Sequence, residues 1–284
     1  MIGARGRQAL TDALLLLPGA GFLFLAMLVP AVNLVLASFG LMGLGKSAGF
    51  TLSHYAEVLD DPLMTAAFWF SLRIATVTMA LSVAFATILA AILQVDFPGR
   101  RLVSVLCKVP LVVPGLVAAF MVLTIIGPGG MAARLVRPLG IIWPSLLDAK
   151  SGAGIILVLL WNSVPLTLLI VSAVAASIPR DVIEAARTLG AGPVMVFRRI
   201  MVPLCAPGIA AAGLLVFIGA FGSYAVPSLI GPAYPRTISV MMTAEFLQRG
   251  NWGKASVVGL VMIATTAAVL VVYHRLAGRA GMAR

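Results

Sequence analysis

A glycine-rich stretch near residue 40 has the residue types of a phosphate-binding loop. Gly40 and Gly45 are followed by Lys46 and Ser47, the order in which such loops place backbone amides, a lysine and a magnesium-binding hydroxyl around nucleotide phosphates. That chemistry also needs a strand before the loop and a helix after it, whereas here a long apolar segment leads in. No acidic residue at the end of an apolar strand follows to hold magnesium. We therefore predict a flexible exit from the first apolar segment instead of a nucleotide site.

Other residues capable of catalysis or metal binding are few and scattered. The chain has nine Asp and Glu residues, two His and two Cys. Cys107 and Cys205 lie in or beside different apolar segments, and their spacing fits neither a disulfide framework nor a metal site. His54 and His274 are isolated, and we expect both to be solvated. These residues predict no metal site.

The most ordered polar stretch, residues 181–203, lies between two long apolar segments. Asp181 can cap a short helix in which Glu184 takes the third position, the reciprocal arrangement of a capping box. Gly190 can then end that helix in the left-handed conformation that glycine adopts at little cost. Charged residues ordered in this way are typical of a surface that contacts a partner.

A second short helix is predicted to follow at once. Gly192 and Pro193 suit its first turn, and Pro203 and Pro207 are expected to break it. The two helices would form an elbow at a membrane surface. The small side chains of residues 185–186 leave one side of the first helix almost flat, so another protein could approach its backbone closely.

The spacing of this stretch resembles the EAA loop of the membrane subunits of ATP-binding-cassette (ABC) importers. In that family the loop is the cytoplasmic element that seats in a groove of the ATPase subunit. The one departure is Val202, where the family usually has Leu. The resemblance implies the permease subunit of a type I ABC importer. Such a chain is not an enzyme and has no catalytic residues, metal or bound cofactor of its own, and ATP and magnesium are used by partner ATPase subunits. The positions that match the family's loop are Glu184, Ala185, Ala186, Gly190, Ile200 and Pro203.

The composition agrees with a membrane protein. Apolar residues make up 61% of the 284 and charged residues 10%, and the mean hydropathy is +1.10. Six apolar runs are long enough to cross a hydrocarbon core of about 30 Å as helices. They are 13–39, 65–93, 102–126, 154–177, 208–230 and 255–273. The predicted fold class is therefore all-α, a polytopic transmembrane helical bundle of six spans, and the resemblance specifies the type I ABC importer permease fold.

We predict a single transmembrane permease domain over residues 1–284. Residues 1–64 form an anchor helix and an external lead-in, and residues 65–277 hold the core helices, with a cytoplasmic EAA loop at about 178–207. The side of the membrane that holds the EAA loop carries the larger share of Lys and Arg, which places both termini in the cytoplasm. The net charge of +11 is then explained by the membrane topology and by contact with anionic lipid headgroups, and it does not indicate binding of nucleic acid. The expected location is the bacterial inner membrane.

Polar residues within apolar runs are the first candidates for a solute pathway, because they are costly unless they face protein or water. Pro165 cannot donate a backbone hydrogen bond, so it frees the carbonyl of Trp161 for neighbouring polar groups or water. Glu245 lies in the connection between the last two runs, as a solvated loop acid or as a contact for a cationic solute or a binding protein. Routine packing between helices is the alternative for the serines. The candidates are Asn162, Ser163, Ser223, Tyr224 and Glu245.

The lead-in and residues 221–232 and 251–253 look most like the spermidine/putrescine branch of the family. That branch implies two cytoplasmic ATPase subunits, a second and different permease subunit, an extracytoplasmic solute-binding protein and membrane lipid as partners. Because the spans hold almost no acidic residues, the binding protein would select the solute. Permeases for phosphonate, ferric iron, thiamine or sulfate remain alternatives. An ion-gradient carrier is a further alternative, which the scarcity of intramembrane carboxylates disfavours.

Overall fold

The computed structural model describes residues 4–42, 49–127, 129–140 and 150–282, and the side chains of residues 15–275 within those ranges. These residues form α-helices joined by short 3₁₀ and π turns, and no strand occurs among them. The helices are α1 Ala4–Ser38, α2 Ser53–Leu59, α3 Pro62–Ile92, α4 Arg100–Leu106, α5 Gly115–Ile126, α6 Met131–Val136, α7 Ala153–Ala176, α8 Arg180–Thr188, α9 Pro193–Val196, α10 Val202–Phe221, α11 Ala225–Ile230, α12 Ile238–Thr243 and α13 Trp252–Met282.

Six helical segments among the described residues are long and apolar enough to cross a membrane, which confirms the predicted number of spans. The first is almost entirely unburied within the chain, with 6% of its most apolar window covered, so its surroundings are lipid or another protein. The segments are Leu15–Ser38, Pro62–Ile92, Gly115–Leu139, Ala153–Ala176, Pro193–Phe221 and Trp252–Arg275.

The third span does not begin where the run 102–126 predicted. The helix that begins at Arg100 ends at Leu106, a 3₁₀ turn covers Val109–Leu111, and α5 starts at Gly115. Pro110 and Pro114 explain the interruption, because each lacks the amide that a continuous helix needs. The apolar span therefore starts at Gly115 and extends beyond the predicted end.

The fifth span is also displaced from its predicted bounds of 208–230. It starts at Pro193, within the EAA loop, and ends at Phe221. The chain is not helical at Ser223 and Tyr224, and the residues that follow form the separate helix α11. Glycine and serine at this point weaken the helix, so the remaining apolar residues of the run do not extend it.

The described chain divides into two compact units, residues 1–61 with 242–262 and residues 62–241 with 263–284. In the first unit, Phe39 stacks on Phe50 at 5.6 Å and contacts Tyr55 at 5.5 Å. Those contacts hold the end of α1 against the lead-in helix α2. Gly259 of α13 lies against Leu34 of α1, where a Cβ would come within 3.2 Å of the leucine side chain. The prediction of one permease domain stays a prediction.

The core of the second unit lies between α3, α7 and α10. Small side chains are prominent in it, as expected where helices in lipid associate through close packing and not through the hydrophobic effect. A Cβ on Gly208 of α10 would lie 2.6 Å from a methyl group of Val174 on α7, so these two backbones approach closely. The buried cluster consists of Ala86, Ala90, Leu168, Val171, Ala175, Met201 and Cys205.

Candidate functional site

The EAA loop begins with α8, whose first turn has no side-chain cap. The N-cap residue is Pro179, and no side chain hydrogen-bonds to the amides that follow it. The predicted capping box between Asp181 and Glu184 is therefore wrong, because the helix starts earlier and Asp181 falls inside its first turn. Asp181 still places a negative charge near the positive end of the helix dipole.

The end of α8 is the left-handed glycine that the sequence predicted. Gly190 has a φ of +85°, and its amide donates to the carbonyl of Arg187 at 3.0 Å. The next amide, of Ala191, donates to the carbonyl of Ala186 at 2.9 Å. This pair of hydrogen bonds is a Schellman motif, which satisfies carbonyls at the end of the helix and reverses the chain toward α9.

The second arm of the elbow continues into the membrane span. Pro193 lies in the first turn of α9, and a π turn at Phe197–Met201 joins α9 to α10. The prediction that Pro203 and Pro207 break this helix is wrong. Pro203 lies in the first turn of α10 directly after the π turn, whose wider hydrogen-bond spacing accommodates a missing amide, and Pro207 is held inside the helix.

The outer surface of the elbow is exposed and partly apolar. Glu184 and Ala185 are exposed, and Ala186 is half-buried. At the tip, Leu189 is 89% exposed and Val194 is 68% exposed. Apolar side chains exposed to this degree, beside a small flat face and a carboxylate, indicate a surface for another protein.

A cleft of about 890 Å³ opens beside the elbow. Its walls come from α8, α9 and the π turn on one side, and from the ends of α3 and α7 with α4 on the other. Glu184 and Ile200 are part of its lining, whereas the other matched positions of the EAA loop are not. The structure therefore brings two of the matched residues to one cavity.

Asn162 lies one turn before Pro165 on α7, close to the start of α5. A Cβ on Gly115 would lie 3.2 Å from its amide nitrogen. Its Oδ1 atom is buried and accepts no hydrogen bond from the described residues. Ser163 instead donates to the carbonyl of Leu159 at 2.6 Å, so its hydroxyl is not turned to the carbonyl that the proline frees.

Ser223 and Tyr224 form the break between α10 and α11. The hydroxyl of Ser239 donates to the carbonyl of Ser223 at 2.5 Å, and Tyr224 is 45% exposed. Interrupted helices in transporters often lie beside a solute pathway. The structure thus places an exposed aromatic side chain at such an interruption.

Ser71 on α3 is a buried polar residue that the sequence did not single out. It is 2% exposed, and its Oγ accepts a hydrogen bond of 2.7 Å from the amide of Ile238, the first residue of α12. The hydroxyl therefore satisfies an amide at a helix start from another helix. No local pattern marks this residue, because its partner is 167 positions away.

Glu245 is not a solvated loop acid, because it is 2% exposed. It lies on the π turn Ala244–Gln248, accepts a hydrogen bond from Arg249, and is 3.5 Å from the Nζ atom of Lys254. Lys254 also donates to Asp61 at 2.7 Å. Buried charges are retained only with partners of this kind, so the carboxylate is engaged within its own chain.

Groups that could hold a metal ion are absent from the described residues, where no three His, Cys, Asp or Glu side chains come together. Cys205 is buried and Cys107 half-buried, and His274 is exposed. His54 is not fully solvated as expected: its side chain is 22% exposed, because the ring lies directly against Gly253. The phosphate-loop pattern falls mostly on residues 43–48, outside the described residues.

The fold is that of ABC transporter permeases. One solved structure with this fold is a bacterial alginate ABC transporter in complex with alginate pentasaccharide-bound periplasmic protein. A chain of that transporter matches with a TM-score of 0.83 over 98% of this chain and 97% of its own length, at 17% sequence identity. The predicted all-α permease fold is thereby confirmed.

The chain belongs to the family of binding-protein-dependent transport system inner membrane components, whose sequence pattern matches residues 82–280. A probable molybdenum ABC transporter permease protein of Haloferax volcanii is 28% identical, over 90% of this chain and 87% of its own length. The spermidine/putrescine permease PotB of Haemophilus influenzae is 26% identical, over 79% of each chain. The chain is thus a multi-pass inner-membrane permease subunit of an ABC importer and not an enzyme.

Proposed function

We propose that the EAA loop of this permease couples solute movement to two cytoplasmic ATPase subunits. The observation that carries this proposal is the continuity of the loop with a membrane span, since Pro193–Phe221 is one apolar helical segment. A force applied by an ATPase at the exposed tip near Leu189 would pass along α9 and the π turn into α10. Because α10 packs against α3 and α7, the displacement rearranges the helices of the second unit.

The proposed assembly contains a second permease subunit of a different sequence and an extracytoplasmic solute-binding protein. The alginate transporter, which was solved with a periplasmic protein, supports the latter partner. ATP and magnesium are used by the ATPase subunits and not by this chain. Both termini lie in the cytoplasm, on the side of the EAA loop. Asn162, Ser163, Ser223, Tyr224 and Glu245 remain the proposed pathway residues, with Glu245 available to solute only if its ion pairs open.

Coupling is tested by Glu184→Lys in the assembled transporter. We expect a loss of at least tenfold in the ATP hydrolysis stimulated by the solute-loaded binding protein, with the subunits still co-purifying. Asp96→Lys is the control, because Asp96 is an exposed carboxylate on a neighbouring connection and makes the same change of charge. Normal stimulation in Glu184→Lys, or an equal loss in both variants, would overturn the coupling role.

A gradient-driven carrier predicts the opposite energy dependence. If our proposal is right, transport disappears when the ATPase subunits are left out. It persists in proteoliposomes that contain ATP after an uncoupler is added. Uptake that needs no ATPase and stops with the uncoupler would contradict the proposal.

We propose a polyamine as the solute, and a molybdenum-containing oxyanion as the second candidate. The spermidine/putrescine relative supports the first, and the molybdenum relative supports the second over a larger share of the chain. The six spans contain no Asp or Glu, and Glu245 nearby is already paired with cations, so the chain offers a polycation few acidic partners, which is the reason to keep the oxyanion as the second candidate. In either case the binding protein would select the solute.

Uptake by proteoliposomes containing the complete transporter separates the two solutes. Radiolabelled spermidine and radiolabelled molybdate are supplied with the cognate binding protein and internal ATP. ATP-dependent uptake of spermidine that excess molybdate does not reduce supports the polyamine, and the reverse result supports the oxyanion. Neither outcome changes the coupling test, so a wrong solute and a wrong coupling role remain distinguishable.

A further inference from the structure

We propose that the cleft beside the EAA loop is a binding site for an anionic phospholipid. The headgroup lies among the cations at the mouth of the cleft, and an acyl chain follows the apolar wall of α7. The family match assigns no ligand to this cavity. The inference takes from the proposed function only the side of the membrane on which the cleft opens.

The mouth of the cleft has more cations than carboxylates. Of the lining residues, Arg100 is paired with Asp96 at 2.5 Å, and Glu184 is the only other acid. The remaining lining cations form no ion pair within the described part of the chain, and all of them are exposed. They are Lys108, Arg180 and Arg187. This excess of positive charge suits a phosphate group, which arginine binds through two parallel hydrogen bonds.

The floor of the cleft reaches into a membrane span. Leu168 is part of the lining and lies roughly 12 Å along the axis of α7 from its last residue, Ala176, at a rise of about 1.5 Å per residue. Two apolar side chains of the walls stay open, since Leu169 is 39% exposed and Ile92 is 47% exposed. An acyl chain reaches this depth, whereas the surface of a cytoplasmic protein remains at the level of the headgroups.

The position of the cleft explains why a lipid is favoured over a soluble anion. Its walls join the end of α3, the end of α7 and the start of the span that contains α10, so it opens where three membrane segments leave the hydrocarbon region. Basic pockets between helices at this level bind acidic lipid headgroups. A soluble phosphate would use the cations and leave the apolar wall without a partner.

The test measures lipid retention by the complete transporter. The complex is incorporated in nanodiscs of phosphatidylcholine with about 30% phosphatidylglycerol, extracted into mild detergent, washed, and assayed for bound lipid by native mass spectrometry. We expect phosphatidylglycerol to be retained by the wild type and reduced at least fivefold in Arg180→Gln/Arg187→Gln. Arg198→Gln/Arg199→Gln is the matched control, because these arginines lie in the same loop but do not line the cleft, and its retention should equal that of the wild type.

Several outcomes would overturn the proposal. Equal retention in the wild type and the Arg180/Arg187 variant would do so, as would an equal loss in the control variant. Displacement of the lipid by 10 mM inorganic phosphate would show a soluble anion site instead. Retention by the isolated permease that disappears when the ATPase subunits bind would show that the ATPase occupies the cleft. Should the double variant not assemble, Lys108→Gln tests the same mouth from the connection that follows α4, with the same expected direction.

Discussion

Gly190 holds the elbow between α8 and α9 in a conformation that other residues adopt only with strain. Its φ of +85° lies in the left-handed region, where a Cβ costs roughly 1–2 kcal/mol. Nothing lies within 4 Å of the position that a Cβ would take, so the cost of a substitution there is conformational and not steric. The two hydrogen bonds of the Schellman motif depend on that conformation.

Gly190→Ala should therefore weaken the elbow by about 1 kcal/mol, which corresponds to several-fold faster hydrogen exchange at the Ala191 amide. Gly192→Ala is the control, because Gly192 has an ordinary φ of −72° and equally open surroundings. Hydrogen exchange resolved over residues 185–195 checks the prediction. Equal exchange in the two variants would show that the turn tolerates a side chain at Gly190.

Lys254 joins two carboxylates that are both largely buried. Its side chain is 12% exposed, that of Asp61 18% and that of Glu245 2%. Arg249, the other partner of Glu245, is 57% exposed and so pairs mainly at the surface. The contribution of each cation to the stability of the chain should follow its burial, because a buried carboxylate that loses a partner has little water to replace it.

Lys254→Met is expected to lower the free energy of unfolding by about 3 kcal/mol, whereas Arg249→Met should cost less than about 1 kcal/mol. Adding Glu245→Gln to Lys254→Met should recover part of the loss, since it removes one of the two carboxylates. Denaturant unfolding in detergent measures all three variants. A larger loss for Arg249→Met than for Lys254→Met would contradict this account of the ion pairs.

At the scale of helices, α10 connects the EAA loop to the core of the second unit. Gly208 allows α10 to approach α7, and the nearest atoms are those of Val174, including its Cβ at 3.2 Å. Rotation of the valine side chain moves its methyl groups but not that Cβ. An added methyl group must therefore shift a helix backbone, and such overpacking costs about 1–3 kcal/mol.

Gly208→Ala should lower the free energy of unfolding of the purified chain by about 1–3 kcal/mol, and Gly219→Ala should leave it unchanged. Gly219 lies on the same helix with nothing within 4 Å of its would-be Cβ, so it controls for the loss of a glycine from α10. Val174→Ala should relieve part of the loss in Gly208→Ala, because it removes the two methyl groups that the new side chain meets but keeps the Cβ at 3.2 Å. Thermal unfolding of the four chains gives the coupling between the two positions.

At the scale of the whole molecule, six spans place the residues before the first and after the last of them on the same side of the membrane. The tip of the EAA loop at Leu189 lies between the fourth and fifth spans, and the lead-in helix α2 lies between the first and second. An even number of crossings separates the EAA loop from the termini, and an odd number separates it from α2. The proposed orientation therefore has a direct test.

A single cysteine at Leu189 should react with a membrane-impermeant maleimide only in inside-out vesicles, and one at Leu59 only in right-side-out cells. The permease is expressed without its ATPase subunits, which would cover Leu189. Both leucines are then well exposed, at 89% and 75%, so a failure to react reports the side and not burial. The unsubstituted chain, with Cys107 and Cys205, gives the background. The reverse pattern would invert the topology and exclude the EAA loop from contact with a cytoplasmic ATPase.

Much of the fold could be predicted because its determinants are local. Hydropathy over about 20 residues identifies a span wherever it lies, and the six predicted runs correspond to the six observed segments. The bounds were predicted less well, since Pro110 and Pro114 end a helix within an apolar run while Pro203 and Pro207 do not. A π turn next to Pro203 makes the difference, and hydropathy contains no information about it.

The sequence by itself determined the membrane fold, the elbow of the EAA loop and its left-handed glycine. Each of these follows from the properties of residues that are close together in the chain. Only the tertiary structure decided that Glu245 is buried, that Ser71 caps a distant helix and that Lys108, Arg180 and Arg187, which form no ion pair with the described residues, line one cleft. Those features depend on residues far apart in the sequence, such as Lys254 and Asp61 at a separation of 193 positions, which folding alone brings into contact.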